Sequence, residues 1–358
     1  MIYKGDICEY IEDTPKILSG IWERRAAIFE DCMKNLMQEK VSVLYLTGTG
    51  SSYHSAVAAA SFLKKILGIR VFPVYPITIS EELCFMNKNS LVIGISQQGT
   101  STAVISGLDE ARKAGVRTIS VTGEYDTEIT SHSDATIYVE CGYEDAGATT
   151  KGYTATVLTL ILFGIGLAGV QGILSDSKEK EYQGRVKRVI DHMPAVLEKS
   201  VNWSQKAAES LKDCKNLIVL YDGIMQASML EAVLKISETC RFPVRGYQTD
   251  AFMHGMYNAV DEETEFLYLF PPDKKQKQQL DRLYDYYEKQ GNRQYRMPED
   301  YFINDTELSV LEYILPIQML FVLTSRKRGI DLNIPKDPDF HKFMGSKLEI
   351  EKISEDLS

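Results

Sequence analysis

The sequence predicts an α/β protein of two units, each a parallel sheet with flanking helices, preceded by a helical arm. Three observations predict it. Apolar runs of strand length alternate with helical stretches of twelve or more residues, the pattern of parallel strands joined by crossover helices. In the first unit two of these runs end in turns rich in glycine and hydroxyl side chains. The same order of elements then starts again after residue 215.

Residues 1–40 read as an amphipathic arm, with Pro15 near a helix start and WERRAAIFEDCMKNLM periodic at helical spacing. Val41–Leu46 is a strand running into Thr-Gly-Thr-Gly, and the Ala-rich stretch from Ser51 to Leu67 is a helix that Gly68 stops. VFPVYPI is the next strand, followed by Ser90–Ser96, a helix from Thr102 to Ala114, and strands in VRTISVTG and ATIYVE. Gly152–Ser175 holds no charge and is long enough to span a bilayer, which takes about 20 apolar residues. Its five glycines and three threonines, and the lack of any second such segment, favour a helix buried in protein. Lys178–Lys215 is a charged helical connector. Beyond it come a strand at Asn216–Gly223, a helix at Met225–Cys240 and a strand in EFLYLFPP. Phe242-Pro243-Val244 echoes Phe72-Pro73-Val74 at a matching place, which argues for internal duplication. The expected domains are an arm (1–40), a first unit (41–175), a connector (176–213), a second unit (214–345) and a tail (346–358).

Hydrophobic residues make up 44% and charged residues 25% of the 358, the balance of a soluble globular protein. A net charge of −10 argues against nucleic acid as a partner, while leaving room for a small anion in one pocket. Six scattered cysteines with no C-x-x-C pair fit buried thiols in a reducing cytoplasm and give no zinc site. No apolar leader is visible at the N-terminus, so the expected location is cytoplasmic, with no membrane partner. No cofactor and no metal are expected.

Two turns in the first unit carry chemistry: Gly48-Thr49-Gly50-Ser51-Ser52-Tyr53, and Ser96-Gln97-Gln98-Gly99-Thr100-Ser101-Thr102. Each joins the carboxyl end of a strand to a helix N-terminus, where backbone N–H groups and hydroxyls can surround a phosphate. Either turn alone is equally a pair of ordinary N-caps. Tyr53 stands where a dinucleotide fingerprint needs its third glycine, and no G-x-x-x-x-G-K-[ST] occurs. In the second unit Glu231, Lys235 and Glu238 fall at i, i+4 and i+7, on one helical face. That face is either solvated, with two ion pairs, or a partly buried proton shuttle.

These motifs, GTGSSYHSA, ISQQGTSTAVI, EDAGATTKGYTA and the E-x-x-x-K-x-x-E helix, resemble the sugar isomerase (SIS) family. The likeness is to the isomerase half of glucosamine-6-phosphate synthase and to fructosamine-6-phosphate deglycases, over about residues 40 to 345. The resemblance implies two flavodoxin-like SIS units. It implies a sugar phosphate held by Ser52, Ser96, Gln97 and Ser101, with Ser51 and Gln98 in the same turns, Ala148 and Thr149 along the sugar and Glu231 as a further substrate-binding residue. Gln98 replaces a serine of the family pattern. It also implies that Glu238 moves a proton between C1 and C2 beside Lys235. His254, sixteen residues beyond Glu238 and before a glycine, would assist ring opening from a neighbouring subunit, so a homodimer or larger assembly is expected. A C-terminal lysine, Lys347 or Lys342, would reach the substrate carbonyl, although the family's P-R-N-L-A-K string is absent. With only 40 residues ahead of the first sheet, no glutaminase unit is expected. The resemblance then favours a glutamine-independent deglycase, with aldose–ketose or amino-sugar phosphate isomerisation as the alternative. A non-catalytic sugar-phosphate-binding regulator is the rival from another class, and no basic helix-turn-helix supports it.

Overall fold

The computed structural model describes residues 4–36 and 40–348. The arm is one helix, α1 (Ile7–Leu36), whose apolar stripe, including Ile11, Leu18, Ile21 and Phe29, is buried. Pro15 lies inside α1, more than two turns from its start, rather than at its beginning. Both Thr14 and Pro15 are buried there, and the Thr14 hydroxyl donates to the Tyr10 carbonyl at 2.9 Å. Packing of the stripe carries the helix past the one N–H that proline lacks.

The first unit runs β1 (Val43–Thr47), α2 (Ser51–Leu67), β2 (Arg70–Val74), α3 (Thr78–Glu82), β3 (Ser90–Ile95), α4 (Thr102–Lys113), β4 (Arg117–Thr122), β5 (Ala135–Tyr138) and α5 (Lys151–Val170). Its strands pair in the order β2-β1-β3-β4-β5, all parallel, with Val43 opposite both Arg70 and Ser90. Strands buried on both faces read as continuous apolar runs, and β3 is buried along its whole length. The order reverses at β1 and β3, so the turns after those two strands share one end of the sheet, the crevice where such folds bind ligands.

The uncharged stretch forms α5, buried from Lys151 to Ile165 without a gap. It meets the length and hydropathy of a membrane span, yet 83% of its most apolar window is enclosed by protein, with α1, α2 and α6 among its neighbours. Burial on every side explains why it has no polar face.

The second unit follows α6 (Asp176–Leu211), which packs along α10 and α1 and so belongs to the core as much as to the connection. It comprises β6 (Asn216–Tyr221), α7 (Gln226–Lys235), β7 (Val244–Gln248), α8 (Thr249–Met253), β8 (Thr264–Leu269), α9 (Lys274–Gln290), β9 (Gln294–Arg296), α10 (Val310–Lys327) and α11 (Phe340–Met344). Its parallel order, β7-β6-β8-β9, repeats the first four strands of the other sheet. The equivalence rests on this order and not on the tripeptide echo. Val74 is the last residue of β2 whereas Val244 is the first of β7, so the two FPV segments are out of register. Of the cysteines, Cys32, Cys141, Cys214 and Cys240 are buried, but Cys8 is half-buried and Cys84 is exposed.

Candidate active site

The two turns of the first unit open on one cavity of about 610 Å³, which residues of the second unit close from the opposite side. Ser96 and Thr100 are buried in the second turn. The Ser96 hydroxyl accepts from the Ser101 N–H at 3.3 Å, and the Gly99 N–H donates to the Ser96 carbonyl at 2.9 Å. Gly99 has φ +67°, and a Cβ there would run into the Thr127 side chain, so no other residue fits this turn without movement. Neither α2, which starts after Gly50, nor α4, which starts after Ser101, is capped by a side chain. The N-cap reading of the hydroxyls therefore fails. Two helix N-termini with their partial positive charge face the cavity uncapped, as an anion requires.

The loop from Glu144 to Lys151 is shaped by a residue that local sequence patterns did not reveal. Glu144 turns back on the start of α5. Its Oε1 accepts from the Thr150 N–H at 2.7 Å, the Thr150 hydroxyl at 2.6 Å and the Lys151 N–H at 3.2 Å, and its Oε2 from the Gly152 N–H at 3.1 Å. This third helix N-terminus is thus neutralised from within, and the loop between is pressed against the cavity, with Ala146, Gly147, Ala148 and Thr149 in its wall. Burial raises the Glu144 carboxyl, against the lowering effect of these bonds.

On the facing side, α7 supplies Lys235 and leads into Glu238. The helix does not continue regularly to Cys240: Ile236–Cys240 is a π-turn. The Ser237 and Thr239 hydroxyls bond the carbonyls four residues back, at 2.7 and 2.6 Å, a contact that loosens helices locally. Lys235 is buried, with Nζ 2.9 Å from Glu238 Oε2 and 3.7 Å from Glu231 Oε1. Its pKa is raised: burial opposes the charge most strongly, and the carboxylates of Glu238, Glu231 and Glu144 outweigh it together. Glu238 is not desolvated to the degree its apolar helix suggests. Its side chain keeps 39% of its exposure and opens on the cavity. The fully buried carboxylate is Glu231, which takes the Ser51 hydroxyl at 2.8 Å and His54 Nδ1 at 2.7 Å.

Residues 345–348 complete the wall. Leu348 N–H donates to the Thr100 carbonyl at 2.9 Å, Lys347 bridges Ser101 in antiparallel fashion, and the Thr102 hydroxyl donates to the Gly345 carbonyl at 3.0 Å. Lys347 Nζ reaches Gln98 Oε1 at 3.4 Å. Desolvation lowers its pKa, Glu238 opposes that change, and Lys235 adds to it. Lys347 rather than Lys342 lines the cavity, as does His341, a histidine with no sequence context to single it out.

The cavity thus gathers Ser51, Ser52, Ser96, Gln97, Gln98, Ser101, Ala148, Thr149, Lys235, Glu238 and Lys347. Glu231 lies directly behind it. The Gln97 amide also engages Cys141 Sγ at 2.9 Å and the Thr156 hydroxyl at 3.2 Å. His254 does not join the group: it caps α8, exposed on the surface and outside this cavity. Among the described residues no cluster of His, Cys, Asp or Glu is arranged to hold a metal ion.

This architecture has relatives. Residues 37–165 match the SIS domain family. Beyond that domain, the chain is 25% identical over 316 residues to a glutamine–fructose-6-phosphate aminotransferase (isomerizing) of Caldanaerobacter subterraneus subsp. tengcongensis, covering 84% of this chain and 51% of the relative. The chain therefore spans about half the length of the curated relatives it matches. A crystal structure from Clostridium difficile 630, provisionally named a phosphosugar isomerase, superposes with a TM-score of 0.88 at 29% identity, covering 96% of this chain and 99% of the other. Another from Salmonella typhimurium LT2, provisionally named a sugar-binding protein, gives a TM-score of 0.79 at 29% identity, covering 89% and 99%. Both crystal structures share the fold of this chain.

Proposed function

We propose that this SIS protein is a phosphosugar enzyme that moves a proton between C1 and C2 of a sugar 6-phosphate. One observation carries the reading: two uncapped helix N-termini with their serine turns face the Glu238–Lys235 pair across a single cavity. Phosphate would sit on the turns of Ser52, Ser96 and Ser101, with Ser51 and Gln98 beside them and Ala148 and Thr149 along the sugar. Glu238 would act as the base, Lys235 would hold its charge, and Lys347 would approach the substrate carbonyl.

The specific substrate class we favour is a fructosamine 6-phosphate. Glu238 removes a proton from C1, forming an enolamine, and protonation at C2 gives an aldimine. Water then cleaves the C=N bond to release the amine and an aldose 6-phosphate. A volume of about 610 Å³ lies in the range of small-molecule sites and is compatible with a sugar phosphate that carries an amine substituent. Simple isomerisation is the second reading, favoured by the name of the Clostridium difficile relative.

His254 would serve from a second copy of the chain. Met253, Met256 and Tyr257 beside it are exposed, an apolar setting suited to a subunit interface in a homodimer or larger assembly. The net charge of −10 supports a small-molecule substrate and no nucleic acid, and enclosure of α5 supports a soluble, cytoplasmic protein. Incubation with a panel of fructosamine 6-phosphates, alongside fructose 6-phosphate, tests the reading. Free amine with aldose 6-phosphate is expected; turnover of fructose 6-phosphate alone would select the isomerase, and turnover of none would remove both.

A further inference from the structure

His54 is a buried titratable group that the proton transfer described above does not use. It stands on the first turn of α2, 7% exposed, with Nδ1 2.7 Å from Glu231 Oε2. Glu231 belongs to the other unit and is wholly buried. Its Oε1 takes the Ser51 hydroxyl, so each oxygen has a partner from α2. Lys235 then lies 3.7 Å from Glu231 but 2.9 Å from Glu238, on the side that opens to the cavity. The other charged and titratable groups around this chain are Glu144 from the loop before α5, Tyr153 on α5, and Lys347 and His341 from the tail.

We propose that His54 is a positioning residue, which acts through Glu231 to leave the Lys235 ammonium with Glu238. The proposal rests on the proton-transfer reading above. A buried carboxylate oxygen without a donor is costly, and it recruits the nearest cation. For Glu231 that cation is Lys235, one helical turn away. Without the imidazole, Lys235 swings back to Glu231, and Glu238 loses its ammonium partner. Phosphate binding, on the turns opposite, is untouched by that movement.

His54→Phe keeps the ring and removes the donor. Its kcat should fall about tenfold, equivalent to one pH unit of differential interaction, with KM little changed. The pH profile of kcat should change, because the Lys235 ammonium has left the carboxylate that opens on the cavity. His54→Asn, whose amide N–H can replace Nδ1–H, should recover most of both. A wild-type kcat and pH profile in His54→Phe, or Asn failing as badly as Phe, overturns the proposal. Two nitrogen NMR readouts need no turnover: an Nδ1–H tautomer at His54 in the wild type, and a Lys235 ammonium resonance displaced in His54→Phe. Either one absent overturns the proposal, even for a chain that turns over no phosphosugar, an outcome that would by itself defeat only the reaction assigned above.

Discussion

The Ser51 hydroxyl donates to Glu231 Oε1 at 2.8 Å across 180 residues of chain, tying the first serine turn to the helix that carries the acid–base pair. Glu231 is fully buried, so this bond is shielded from water and any replacement must come from protein. Ser51→Ala should lower the free energy of unfolding by roughly 1–3 kcal/mol, the cost of leaving a buried polar group short of a partner. Ser52→Ala, which breaks no bond to Glu231, is the control. Equal urea midpoints for the two variants would show that the tie contributes nothing to stability.

Binding should depend on the same region in a different way. Ser96→Ala and Ser52→Ala should each weaken sugar-phosphate binding by roughly 1–3 kcal/mol, the range for hydrogen bonds to charged groups. Gly99→Ala should weaken it too without removing any donor, since a side chain at φ +67° collides with Thr127 and forces the turn open. Trimming the obstacle in Gly99→Ala/Thr127→Ala should recover part of that loss. Calorimetry that finds wild-type affinity in all three single variants would place the phosphate elsewhere.

Lys347 is exposed, but it lies on the cavity wall among charged neighbours and should titrate unlike a lysine on the outer surface. Desolvation lowers its pKa, whereas Glu30 raises that of Lys34 on the exposed face of α1. The sign follows from linkage: a lysine that binds its proton more weakly in the folded state makes folding more favourable as pH rises from its folded pKa toward the ordinary lysine value. Its amine is also unprotonated at lower pH. In competitive labelling under mildly alkaline conditions Lys347 should react ahead of Lys34, and a bound sugar phosphate should protect it. Equal rates for the two lysines would contradict the lowering.

The serine turns and the Glu231–Lys235–Glu238 face were legible in the sequence because each is local, set by a strand end or by helical spacing. Glu144 was not, because its role comes from folding back on Thr150, Lys151 and Gly152, which no periodicity announces. His54 and Glu231 are 177 residues apart, and the tail meets Thr100 from Leu348; contacts of that range belong to the packing of two units. The π-turn escaped because Ser237 and Thr239 look like ordinary helix residues until their hydroxyls are seen on the carbonyls four residues back. The FPV echo misled, since identical tripeptides at different strand registers carry no structural equivalence.

The roles proposed for Glu238 and His254 can be tested by mixing. Glu238 lines the cavity, held by Lys235 at 2.9 Å, while His254 lies exposed at the end of α8, outside the same chain's cavity. Glu238→Gln preserves shape and removes basicity, so turnover should fall by about 10²–10⁴, the usual contribution of a positioned acid–base group. KM should move little, because the proposed phosphate site is on the opposite wall. If a second copy supplies His254, inactive Glu238→Gln mixed with inactive His254→Ala should regain activity, since each mixed dimer assembles one site with both residues intact. Full turnover by Glu238→Gln on every phosphosugar the wild type accepts would refute its role as base. Failure of the mixture, with subunit exchange demonstrated, would remove the shared site and leave Glu238 standing.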